Sequence, residues 1–187
     1  MFIPLIVVIF AAAVAVVRGG SLDNLARTHF AWTWVIFLGL AIQIVFDLWA
    51  PVTVGKNVGL AITLLSIGCI LFFLIQNRTL PGTLVATFGL ALNAVVIAAN
   101  GAMPISRSAA RAAGLTQDLL TELGIKHELM DSATRLDWLA DIFAIPKLEK
   151  VFSVGDVVLA VGLGILVYSC AVTPGEQTVA TRPSTSG

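Results

Sequence analysis

Two aspartates, Asp47 and Asp156, stand in strongly apolar stretches of this 187-residue chain, with amides nearby at Gln43, Asn93 and Asn100. A carboxylate in such a setting accepts a proton or holds a cation, and an amide both donates and accepts hydrogen bonds. Polar groups within membrane segments usually face a bundle interior or a water-filled path. Gly39, Gln43 and Asp47 are four apart, so they stack on one helix face. Gly89, Asn93 and Asn100 also share a face, and Asp156, Ala160 and Gly164 repeat the spacing with small residues below the carboxylate. One reading gathers Gln43, Asp47, Asn93, Asn100 and Asp156 into a single polar vestibule. Plainer readings stand beside it. Asp47 lies two residues from Trp49 and so belongs to a wet interface. Asn93 bonds one helix to another. Ser153-x-x-Asp156 resembles a capping box, whose two side chains satisfy free amides of a first helical turn, and a carboxylate there is also favoured by the helix dipole.

Asp141 and Asp156 could instead work as a carboxylate pair, since general acid/base chemistry wants two carboxylates in different environments near one atom. They meet only if the Ile142–Phe152 segment doubles back. His127 and Asp131 are four apart, and on a helix they would present two ligands to a metal, too few for a site. Cys69 and Cys170 have no metal-ligand spacing and read as core residues. No glycine-rich phosphate loop, nucleophile elbow or zinc helix is present, so no cofactor is expected.

The elements that must position these groups follow from composition. Hydrophobic residues make up 58% of the chain and charged residues 12%, with mean hydropathy +0.96. A soluble domain carries about twice that charge, so a soluble globule, a disordered chain and a disulfide-stapled module are all excluded. Net charge is zero, which leaves no electrostatic footprint for nucleic acid. Thirteen of the 22 charged residues fall within residues 101–153. The charge-poor remainder supplies apolar runs of the length that crosses a bilayer, about 20 residues. Spans are expected at about 1–17, 30–50, 58–76, 82–99 and 154–173. Each must be helical, because lipid offers no partner to a free backbone amide. Residues 1–17 lack the basic start of a secretory signal and read as an uncleaved span. Trp32, Trp34 and Trp49 bracket the second span about 26 Å apart, close to one hydrocarbon thickness.

The expected fold is therefore an all-α, polytopic membrane bundle of five helices in one domain, 1–173, with a partly helical loop between the fourth and fifth and a disordered tail, 174–187. Five alternating spans put the ends of spans two and four, the starts of spans three and five, and the long loop on one side. The opposite side is expected to be nearly inert. Lys and Arg in the short loops favour the amino terminus outside. In the loop, one helix is expected from Ser106 to about Leu123, closed by Gly124. A second is expected over Glu128–Phe143, with Leu129, Leu136, Leu139, Ala140 and Phe143 as its apolar stripe, packed on the bundle.

A set of residues in fixed order resembles a known pattern: Arg18-Gly19-Gly20 with Leu25, Gln43, Asn93, Asn100-Gly101-x-Met103-Pro104, His127, Thr134-x-Leu136, Leu139-x-Asp141 with Pro146, and Ser153-x-Gly155-Asp156. It resembles a bacterial family of small polytopic membrane proteins catalogued only as a domain of unknown function, over roughly residues 1–170. Ala102 departs from it, where the pattern has a second glycine. The resemblance implies a membrane class and no mechanism. It marks Asn100, Met103, Pro104, Asp141, Ser153 and Asp156 for testing. The expected role is an accessory or structural component of the cell membrane, in contact with lipid and with a membrane-protein partner through residues 101–153. The alternatives are binding or transport of a small solute, ion or proton through the vestibule, and an enzyme acting on a lipid-linked substrate.

Overall fold

The computed structural model describes residues 2–49, 55–115, 126–146 and 148–173. It is mostly helical: α1 (Phe2–Val17), α2 (Leu22–Arg27), α3 (Thr33–Trp49), α4 (Lys56–Gln76), α5 (Thr83–Asn100), α6 (Arg107–Ala113) and α7 (Val154–Val172). Three of these, α4, α5 and α7, are long and apolar enough to cross a membrane, while α1 and α3 are apolar but shorter. α3 starts at Thr33 because Trp32, at φ 58°, takes a left-handed conformation that no helix continues. The long helices pack in the order α3, α4, α5, α7, α1. α1 and α7 run parallel. Val7 and Ala11 lie against Gly164, and the Ser21 amide, just beyond α1, donates to the Ala171 carbonyl at 2.9 Å.

Small residues set the closest seam, between α5 and α7. Gly82, Ala86, Gly89 and Asn93 oppose Gly155, Leu159, Gly162 and Leu166 at matching helical intervals. A Cβ built on Gly89 would lie 2.3 Å from the Leu159 backbone nitrogen, and one on Gly162 would lie 2.2 Å from that of Ala86. Small residues drive such contacts in lipid, where no hydrophobic force separates helix from solvent. Gly162→Ala should therefore destabilise the protein by about 1–3 kcal/mol, despite alanine's better helix propensity. A denaturant titration in detergent measures this. The remaining core is apolar, built on Ile67, Ile70, Phe73, Leu74, Ala86, Leu90 and Leu159. Ser66 adds one interhelical bond, donating from Oγ to the Gly39 carbonyl at 2.9 Å.

The end away from the long loop is not inert. Asn77 is 4% exposed and Thr83 is fully buried. The Asn77 amide donates to the Ala31 and Phe73 carbonyls at 2.9 and 2.8 Å and accepts from the Ala31 amide at 2.8 Å. Thr83 Oγ1 approaches the carbonyls of Asn77 and Leu80 at 3.0 and 2.7 Å. One amide thus satisfies the backbone at the start of α3 and the end of α4. In the sequence Asn77 reads only as a boundary before Arg78.

The described residues 103–115, 126–146 and 148–152 fold into a cap. Strand β1 (Met103–Ile105) pairs in parallel with β2 (His127–Leu129), and Ile105 also bridges Asp141. A 3-10 turn covers Asp137–Leu139. Strands β3 (Phe143–Ile145) and β4 (Lys150–Phe152) form an antiparallel hairpin that leads into α7. The expected helix over Glu128–Phe143 is absent. Asp131 Oδ1 accepts from the Ala133 amide at 2.9 Å, Thr134 Oγ1 accepts from the Asp131 amide at 2.9 Å, and Leu136 sits at φ 56°. These side-chain bonds compete with a helical ladder. The apolar stripe is still used: Leu139 and Ala140 are buried with Val96 and Met103, and Leu136 and Met130 pack on them. The helix expected from Ser106 ends at Ala113, where Gly114 (φ 80°) caps it in a left-handed conformation. The rest of that expectation, residues 116–123, and the tail lie outside the described residues.

Candidate functional site

The polar residues at the loop-side helix ends fall into three groups. The first is a closed network across the α5–α7 seam. Ser153 caps α7, with its Oγ accepting from the Asp156 amide at 3.0 Å, and Asp156 Oδ2 accepts from the Ser153 amide at 3.3 Å. This is the capping box that Ser-x-x-Asp anticipates. Asn93 closes the ring, its Nδ2 donating to Asp156 Oδ1 at 2.8 Å and its Oδ1 accepting from Ser153 Oγ at 2.9 Å. Gly155 makes this approach possible, since a Cβ there would stand 1.9 Å from Asn93 Oδ1.

The second group ties the cap to the other helices. Asn100, in the last turn of α5, donates from Nδ2 to the Arg135 carbonyl at 2.9 Å and accepts the Arg135 amide at 2.8 Å. Of three consecutive cap residues, two reach helices and the one between them faces Asp141 of the cap itself. Lys126 pairs with Asp47 at the end of α3 and lies 5.2 Å from the Phe46 ring centre. His127 faces Asp141 at 4.0 Å. Glu128 pairs with Lys56, the first residue of α4, at 2.6 Å. The Lys56–Glu128 pair is more than half exposed and contributes well under about 1 kcal/mol. Asn100→Ala removes both bonds to Arg135 and should raise amide exchange over residues 131–139 by about tenfold, as hydrogen–deuterium exchange would read.

The third group is Asp141. Its backbone is held on β1: its amide donates to the Pro104 carbonyl at 3.0 Å, and its carbonyl accepts from the Ser106 amide at 3.0 Å. Its side chain is 6% exposed, and Oδ1 has no hydrogen-bond partner among the described residues. Burial pushes its carboxyl up to about 7, helped by the negative charge of Asp156 and opposed by the positive amino terminus. The β3–β4 hairpin supplies the doubling back that Asp141 and Asp156 need to approach each other. Asp131 behaves in the opposite way. Fully exposed, it is held below the usual carboxylate range, first by the Ala133 amide and then by Thr134.

Of the residues expected to line one vestibule, Asn93 and Asp156 meet directly. Asp47 instead pairs with Lys126, and Asn100 holds Arg135. The Gln43 side chain, on α3, makes no hydrogen bond among the described residues. Met103 is buried against Val96 and Leu139, and Pro104 supplies the carbonyl that positions Asp141. His127 lies on a strand, not a helix, and among the described residues no group of three His, Cys, Asp or Glu side chains could hold a metal. A polar cleft of about 330 Å³ opens between the cap and the helix ends, lined by Lys56, Asn100, Pro104, Glu128, Asp131 and Arg135 among others. Lys126, Glu128 and Lys56 carry no distinguishing signal in the sequence, because their partners lie on other elements.

No curated protein and no solved structure matches the chain. The model of one family, a family of unknown function (DUF5317), matches residues 27–168. That stretch contains α3 to α5, the cap, and most of α7, including Asn93, Asn100, Asp141, Ser153 and Asp156. The chain belongs to this family of unknown function, DUF5317.

Proposed function

We propose that the protein is a five-span accessory component of the cell membrane that meets a membrane-protein partner through its long loop, residues 101–153. The observation that carries this reading is the internal use of its polar groups. Asn93, Ser153 and Asp156 satisfy one another, and Asp47, Lys56 and Asn100 are engaged in holding the cap. α1 and α3 complete the five spans as upright helices of about 24–26 Å. The polar cleft beside Arg135 and Glu128 is the surface offered to the partner. A photo-crosslinking residue at Ala133, on the cleft rim, should yield one discrete protein adduct in native membranes, abolished by Arg135→Glu. Absence of an adduct there, with a solitary monomer recovered in mild detergent, would overturn the reading. A second reading, binding of a proton or small cation on the loop side, is favoured by the buried Asp141 oxygen that lacks a hydrogen-bond partner among the described residues.

A further inference from the structure

The cap is anchored by more than its polar ties. Leu139, in the 3-10 turn Asp137–Leu139, is 5% exposed and clusters with Val96, Met103 and Ala140, and Leu92 packs against this cluster. Val96 and Leu92 lie one and two turns inside the end of α5, about 6 and 12 Å from Asn100 along the axis. The turn therefore lies beside the last turns of α5 rather than above its end. α5 has 18 residues, so it spans about 27 Å, slightly less than a hydrocarbon core of about 30 Å. Trp138, the middle residue of this turn, is 62% exposed. Its neighbour Leu139 is turned into the protein, so the indole points away from the core at the depth where a membrane boundary would fall.

We propose that the Asp137–Leu139 turn is a membrane-surface anchor, with the Trp138 indole seated in the headgroup–acyl boundary of the bilayer. The proposal rests on the reading that α5 crosses the membrane. The chemistry suits the place. An indole has a large apolar body and one N–H donor, which is why tryptophan collects at lipid interfaces. Asp137, exposed beside Trp138, reaches the polar headgroups. Trp138 thus has the same relation to the loop-side boundary that Trp32 and Trp34, 50% and 61% exposed at the start of α3, have to the opposite one. The cap is held at two levels: by Asn100 and Lys126 above the boundary, and by this turn within it.

The full chain, reconstituted in phosphatidylcholine vesicles, tests this with lipids brominated near the headgroup or deep in the acyl chain. A variant keeping Trp138 alone (Trp32→Phe, Trp34→Phe, Trp49→Phe) should lose more emission to shallow than to deep bromines. Phe88, 61% exposed within α5, provides the control. Phe88→Trp in the same background with Trp138→Phe should show the reverse order. If residue 88 is quenched and Trp138 is not, the anchor is wrong while the membrane-spanning reading stands. If neither is quenched, the spanning reading itself fails. Should the triple replacement unfold the protein, Trp138→Cys carrying a nitroxide, in a Cys69→Ala, Cys170→Ala background, gives the same answer. Relaxation by oxygen above that by an aqueous nickel chelate supports the anchor, and the reverse overturns it.

Discussion

Asp156→Ala should cost about 2–4 kcal/mol of stability, whereas Asp156→Asn should cost about 1 kcal/mol or less. Alanine leaves the Asn93 amide and the Ser153 backbone N–H without these acceptors in a partly buried, closely packed seam. Asparagine can rebuild the ring. If the Asn93 side-chain amide turns over, its nitrogen donates to Ser153 Oγ and its oxygen accepts from the new amide nitrogen at position 156. The oxygen at 156 still accepts from the Ser153 backbone. Only the charge, and its favourable interaction with the α7 dipole, is lost. Thermal melts of the three proteins in one detergent measure the difference. A residue that served solute transport and not folding would give the opposite pattern: both variants stable, and both without flux.

The largest pH effect should belong to Asp141. Its carboxyl is raised from 3.8 to about 7 in the folded protein, because burial penalises the charge and Asp156 repels it. The folded state therefore holds a proton that the unfolded chain has already released. The stability that Asp141 contributes is fully present below pH 4, falls as pH rises toward 7, and is lost above it. The full loss is about 4 kcal/mol. Asp141→Asn should flatten this dependence and make the protein more stable than wild type at pH 8. Because the Asp156 charge is one cause of the shift, Asp156→Asn should move the midpoint of the wild-type decline downward. Chemical unfolding from pH 4 to pH 9 measures all three curves.

The helices were legible because their cause is local. Long apolar runs bounded by glycine, proline and asparagine allow little else, and the ends of α4, α5 and α7 fall within about two residues of expectation. Ser153 and Asp156 were legible for the same reason, since a capping box is closed within four residues. The cap was not. A stripe of Leu136, Leu139, Ala140 and Phe143 has helical spacing, but the Asp131–Thr134 turn and the left-handed Leu136 break the ladder. Leu139 is then buried, and Leu136 packs on it, by a different route. Partners across the fold were least legible of all. Nothing near Asp47 points to Lys126, and nothing near Asn77 points to Ala31. The sequence places Asn93 and Asp156 at adjacent helix ends, but only the glycine seam of α5 and α7 brings them to 2.8 Å.

That pairing is where the account is most exposed to test. If Asn93 and Asp156 lock α5 to α7, a double-mutant cycle (Asn93→Ala, Asp156→Ala and both together) should return a coupling of about 1–2 kcal/mol, near the upper end seen for polar contacts between membrane helices. Changes that simply add, to within about 0.5 kcal/mol, would mean that the two side chains act independently, and would contradict the locked seam on which the proposed role depends.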